Sequence, residues 1–132
     1  MTMNFVTVAA LLQALIALGV AGFQIALLAG APWGEYTMGG QHPGKLPGQL
    51  RVTAAVSAII MVAQSGHYLA QAGILSPALT PGQNAIVNWF WFGFAILGLI
   101  VNSISRSKKE RNLWVPVLLV SAAATLVVAL NH

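Results

Sequence analysis

The sequence predicts an all-α integral membrane protein, a bundle of four transmembrane helices, and three observations carry that expectation. Of its 132 residues 58% are hydrophobic and only 6% charged, where a soluble domain carries about 25% charged residues. All six Lys/Arg and both acidic residues fall in two short stretches. Glu35, Lys45 and Arg51 lie in the first; Arg106, Lys108, Lys109, Glu110 and Arg111 lie in the second. Around them run four apolar segments, each of about 20 residues, the length that crosses a bilayer. So few charges cannot clothe a water-soluble surface of this size. Helix is favoured over strand because the segments are long and lack in/out alternation.

The spans are expected at 4–29, 51–72, 85–105 and 113–130, within a single membrane domain covering 1–132. Gly30, Pro32 and Gly34 end span one. Ala29-Gly30-Ala31 has the small residues of a signal cleavage site, but no Lys or Arg precedes it and the apolar run from Phe5 is too long, so it is read as a retained span. Loop 31–50 mixes Gly, Pro, Trp, Tyr, His and charge, and is expected to form an ordered cap. Arg51 opens span two. Loop 73–84 carries no charge, and Gly73, Pro77, Pro81 and Gly82 punctuate it. Span three leads to a charged loop at 106–112, and Pro116 is expected in the first turn of span four.

Every Lys and Arg lies on one side of this arrangement, which is therefore expected to be cytoplasmic, with both termini outside and loops 31–50 and 106–112 inside. Trp33, Tyr36 and Trp114 are expected at the inner interface, and Tyr68, Trp89 and Trp91 at the outer one. The cations are topology determinants first. Arg106, Lys108, Lys109 and Arg111 are also candidates for contact with anionic lipid head groups. Their placement at membrane ends argues against nucleic acid as a partner. With no cysteine, thiolate chemistry and Cys-ligated metals are excluded. His42, His67 and His132 show no ligand spacing, so neither a metal centre nor a cofactor is expected.

Polar residues within the spans mark the faces that meet. Thr53, Ser57, Gln64, His67, Tyr68 and Gln71 follow steps of three, four and seven along span two. Gln13 and Gln24 share a face of span one, Asn88 and Asn102 one of span three, and Ser121 and Thr125 one of span four. Gly19, Gly22, Gly93 and Gly98 permit close helix approach, within the bundle or to another molecule. His67, with Gln64, Gln13, Asn88 and Tyr68, is the first ligand-binding candidate; the plainer reading of His67 is a neutral imidazole holding helices together. Trp33, Glu35, His42 and Arg51 form a second candidate set in the first loop, as a lid over the interior or as an inert cap. No catalytic residue is assigned.

Loop one, with Trp33-Gly34, Gly39-Gly40-Gln41-His42-Pro43-Gly44 and Leu46-Pro47 ahead of Arg51, resembles that of a group of small, uncharacterised four-span bacterial membrane proteins. The resemblance implies a four-helix bundle in a bacterial inner (plasma) membrane and transfers no functional residue.

Three classes of function fit, and the first is preferred, with the second and third as its alternatives. An accessory or structural subunit of a larger membrane complex, or a homo-oligomer, is favoured by the scarcity of catalytic groups. A protein that binds or transports a small neutral or amphipathic molecule is favoured by the polar stripe of span two. A membrane enzyme acting on a lipid-like substrate would need two placed acid–base groups, and only Glu35 with His42, or His67, offers them. Proton-coupled transport is disfavoured because no span holds a carboxylate.

Overall fold

In the computed structural model, which describes residues 4–131, the chain forms four long helices: α1 (Phe5–Leu28), α2 (Gly48–Gln71), α3 (Pro81–Ser103) and α4 (Lys108–Leu130). Among the described residues there is no strand. Each helix is long and apolar enough to cross a membrane.

Local chemistry sets the helix ends. The Asn4 side chain accepts the Thr7 N–H at 2.9 Å and starts α1. Gly30, at φ +100°, stops it, and the Ala31 N–H closes back on the Ala26 carbonyl. The same device ends α2, where Gly73 sits at φ +82° and the Ile74 N–H returns to Leu69. Thr80 and Gln83 form a reciprocal capping box around Pro81 at the start of α3. Ser107 caps α4 by accepting the Glu110 N–H at 3.1 Å.

Three boundaries differ from their expected places, two of them at the capped starts of α3 and α4. α2 begins at Gly48 rather than 51, and α3 at Pro81 rather than 85. α4 begins at Lys108 rather than 113, because Lys, Glu and Arg are good helix formers and Ser107 supplies the cap. Pro116 is therefore inside α4 and not in its first turn. Its ring lacks the N–H that would bond the Asn112 carbonyl.

α1 packs against α2 and α4, and α4 against α3; α2 and α3 are not packed closely along their length. The order around the bundle is thus α2–α1–α4–α3, open between its two ends. Small residues make the seams. Ala9, Ala10, Ala14, Ala17 and Ala21 of α1 are buried, as are Ala54 and Ala58 of α2. The glycines behave differently. A Cβ added to Gly19, Gly22 or Gly93 would meet nothing within 4 Å, and only Gly98 faces a neighbouring helix, at Leu118. Tyr68 and Trp91, whose expected depth is the outer interface, are buried between helices in a cluster with Ala10, Ala14, Ala124 and Val128. Thr53, on the same helical face as Ser57 and Gln64, is exposed.

The α1–α2 connection folds back over the start of α4. Two short 3-10 turns, Gly34–Tyr36 and Met38–Gly40, shape it. Gly34 donates its N–H to the Gly44 carbonyl at 2.8 Å. No side chain fits at Gly34, since a Cβ there would collide with the carbonyl oxygens of His42 and Gly44. Leu46 is buried beneath, with Leu27 and Ala54.

Candidate functional site

The polar side chains sort into two hydrogen-bonded groups. Near the uncharged end, Asn88 of α3 reaches across to α2. Its Nδ2 donates to Gln71 Oε1 at 3.1 Å, and its Oδ1 lies 2.6 Å from His67 Nε2. An amide oxygen only accepts, so in this arrangement Nε2 carries the proton. This is where α2 and α3 are joined. Deeper in the bundle, Ser121 Oγ of α4 donates to Gln13 Oε1 at 2.8 Å, and Gln13 Nε2 donates to Gln64 Oε1 at 3.1 Å. That chain ties α4, α1 and α2 together.

Below the second group, toward the charged end, lies a cavity of about 620 Å³. All four helices and the first connection contribute to it. Gln13, Gln64 and Ser121 form its roof; Thr37, Met38, Gly39 and Gln41 form its floor. Between roof and floor the wall is mostly apolar and partly aromatic, with Ile16, Val20, Phe23, Phe94, Val117 and Trp114. Glu110 and Ser121 both line it, eleven residues apart on α4, so it runs through about 16 Å of helix rise.

The cavity opens sideways. Its lining residues on α1 and α4 are buried or half-buried, whereas Ile60 of α2 and Phe94 and Val101 of α3 are exposed. The gap therefore lies between α2 and α3, the two helices joined only near the uncharged end, and it faces the lipid-contacting surface of the bundle.

Glu110 is the feature that sequence patterning missed. It is only 6% exposed, lines the cavity, and accepts the Gly39 N–H through both carboxylate oxygens at 3.3 and 3.4 Å. Ser107-x-x-Glu110 ahead of an apolar run is a capping-box signature and could have singled it out. Here the box is only half made. The Ser107 N–H goes to Ser105 Oγ at 3.1 Å, which leaves the Glu110 carboxylate to turn toward the floor of the cavity.

The floor is held from α4. Ser107 Oγ donates to the Glu35 carbonyl at 2.5 Å, and Trp114 Nε1 donates to the Tyr36 carbonyl at 2.7 Å. Lys109 pairs with the Glu35 carboxylate at 2.5 Å and lies 5.8 Å from the centre of the Tyr36 ring. Met38 adopts φ +52°, unusual for a residue with a side chain, at a point where it lines the cavity.

Of the sequence-predicted set, Gln13 and Gln64 line the cavity, and His67, Asn88 and Tyr68 do not. The Tyr68 hydroxyl is buried with no hydrogen-bond partner among the described residues, as is that of Ser65. The loop candidates do not converge on the cavity either. Trp33 stacks on Phe23 at 6.0 Å, Glu35 pairs with Lys109, and Arg51 Nε donates to the Leu46 carbonyl. No hydrogen bond or ion pair joins Glu35 to His42. Ser57, Gln24 and Asn102 do line the cavity, as their helical faces suggested. No three metal-ligating side chains gather among the described residues, and His132 lies outside them.

Four apolar spans around a laterally open cavity define a small multi-pass α-helical membrane protein. Comparison with protein-family models, curated proteins and solved structures returned no match.

Proposed function

We propose that this protein binds a small amphipathic molecule that enters its cavity sideways from the bilayer. The carrying observation is the cavity itself: apolar walls, polar roof and floor, and an opening between α2 and α3. A packed structural subunit has no need of such a space, since van der Waals contact is what holds membrane helices together. Apolar pockets with a few placed polar groups are the usual form of small-molecule sites. The charged end is taken to face the cytoplasm of a bacterial cell across its inner membrane, in keeping with the positive-inside rule and the resemblance of loop one. Arg106 and Lys108, both exposed, are the basic residues best placed to meet anionic head groups there.

The test is native mass spectrometry of protein released with its surrounding lipid. Wild type is expected to carry a discrete adduct, and Ser57→Trp, which fills the cavity from α2, is expected to lose it while remaining folded. An adduct unchanged by Ser57→Trp would sink this reading.

An accessory role is a second reading, favoured by the outward-facing glycines. Gly19, Gly22 and Gly93 leave shallow faces on α1 and α3 that a helix of another subunit would fit closely. Co-release with larger subunits at fixed stoichiometry, with no adduct, would favour it.

A further inference from the structure

The binding reading leaves open what the occupant presents to the charged end of the cavity, and Glu110 narrows the choice. Its two contacts to the Gly39 N–H, at 3.3 and 3.4 Å, are long for a charged acceptor, where about 2.7–2.9 Å is usual. It makes no ion pair among the described residues. The neighbouring cations are engaged or turned away: Lys109 is on Glu35, Arg111 Nη1 donates to the Ser105 carbonyl at 2.5 Å, and Lys108 is exposed. Arg106 lines the cavity but is exposed, which puts it at the rim. A buried carboxylate without a cation is costly, and the start of α4 offsets only part of that cost. One turn further along α4 stands Trp114, T-shaped with Phe23 at 4.9 Å between ring centres. Aromatic faces beside a carboxylate suit a positive head group.

Resting on the binding reading above, we propose that the cavity selects amphiphiles by an ammonium head group. The ammonium supplies the cation that Glu110 lacks, and the apolar tail extends toward the Gln13–Gln64 roof. Two sources share this chemistry. One is a free long-chain amine. The other is a zwitterionic lipid whose anionic group meets Arg106 at the rim.

The experiment places the full chain in bilayer nanodiscs with equal, sub-solubilising fractions of dodecylammonium, lauroyl lysophosphatidylethanolamine and dodecyl sulfate. Retained adducts are then compared by native mass spectrometry. Both ammonium probes are expected to be retained over the sulfate by about tenfold or more, roughly one unit of log affinity. Glu110→Gln is expected to bring that ratio near parity, and Glu110→Asp to preserve most of it. A zwitterionic probe that leads, and loses its lead in Arg106→Gln, identifies a lipid as the source; an amine that leads identifies a free amine. Equal or greater retention of sulfate by wild type would overturn the head-group assignment and leave the cavity reading standing. If wild type retains no probe, or Ser57→Trp retains as much, the cavity reading itself fails. The wild-type comparison does not depend on any variant folding.

Discussion

A hydroxyl and a carboxylate, both buried, separate what burial costs from what it enables. Tyr68 packs in a cluster with Ala9, Ala10, Ala14 and Trp91, and its buried hydroxyl has no partner among the described residues. A buried donor left unsatisfied costs about 1–3 kcal/mol, and a ring of the same shape without the hydroxyl avoids it. Tyr68→Phe is therefore expected to raise resistance to denaturant in bicelles, by about 1 kcal/mol. A marked loss of stability would show that the hydroxyl is satisfied after all. Glu110 is the opposite case, because its carboxylate belongs to a residue that lines the cavity. Its burial was hidden in the sequence. Within Arg106-Ser107-Lys108-Lys109-Glu110-Arg111 it looks like one charge of a solvated run. Only the position of Ser107 three residues earlier hinted at a helix start, and nothing local pointed to Gly39, 71 positions away, as its partner. No carboxylate side chain stands in the middle of a span, but Glu110 stands in the first turn of α4.

At the scale of elements, much was legible. Four helices followed from apolar length alone, and the caps at Asn4, Thr80 and Ser107 are written in short local motifs. Helix rotation and depth were less so. Spacing placed Gln64, His67 and Tyr68 on one face of α2, and the fold then divided them among a roof, a bridge to α3 and an apolar cluster. Three successive side chains around a turn point to different neighbours, and a single-span pattern contains no information about those neighbours. The bridge carries its own prediction. α2 and α3 have little packing between them, so their connection rests on Asn88 and its bonds to His67 and Gln71. Interhelical hydrogen bonds in membranes are worth about 0.6–1.7 kcal/mol each. Asn88→Leu is expected to destabilise the fold by about 1–2 kcal/mol in bicelle unfolding, and also to speed adduct exchange, because the gap above the cavity would widen. A variant that keeps both stability and exchange rate would mean that α2 and α3 are held by something else.

For the whole molecule, the order α2–α1–α4–α3 and the distribution of charge together define two unlike ends. At one lie all six Lys/Arg, both acidic side chains, the cap over α4 and the floor of the cavity. At the other, the α2–α3 connection carries no charge and the helices meet through Asn88 and Trp91. Every cation at one end is the strongest bias that the positive-inside rule can register for a chain with these six. The apolar helices offer no competing signal, since their exposed faces are built from residues such as Ile59, Ile86 and Leu97. The orientation proposed above, with the charged end in the cytoplasm, rests on that bias, and the chain suits its test because it has no cysteine of its own. Ser76→Cys in the uncharged connection and Lys108→Cys at the exposed start of α4 each give one labelling site with little disturbance. In intact spheroplasts a membrane-impermeant maleimide is expected to label Ser76→Cys at once and Lys108→Cys only after permeabilisation. The reverse pattern would put the charged end outside, and labelling of both without permeabilisation would mean that the chain inserts in two orientations. Either result would place the rim beside Arg106 at the outer leaflet in some or all molecules, and so change which lipids the proposed binding site could meet.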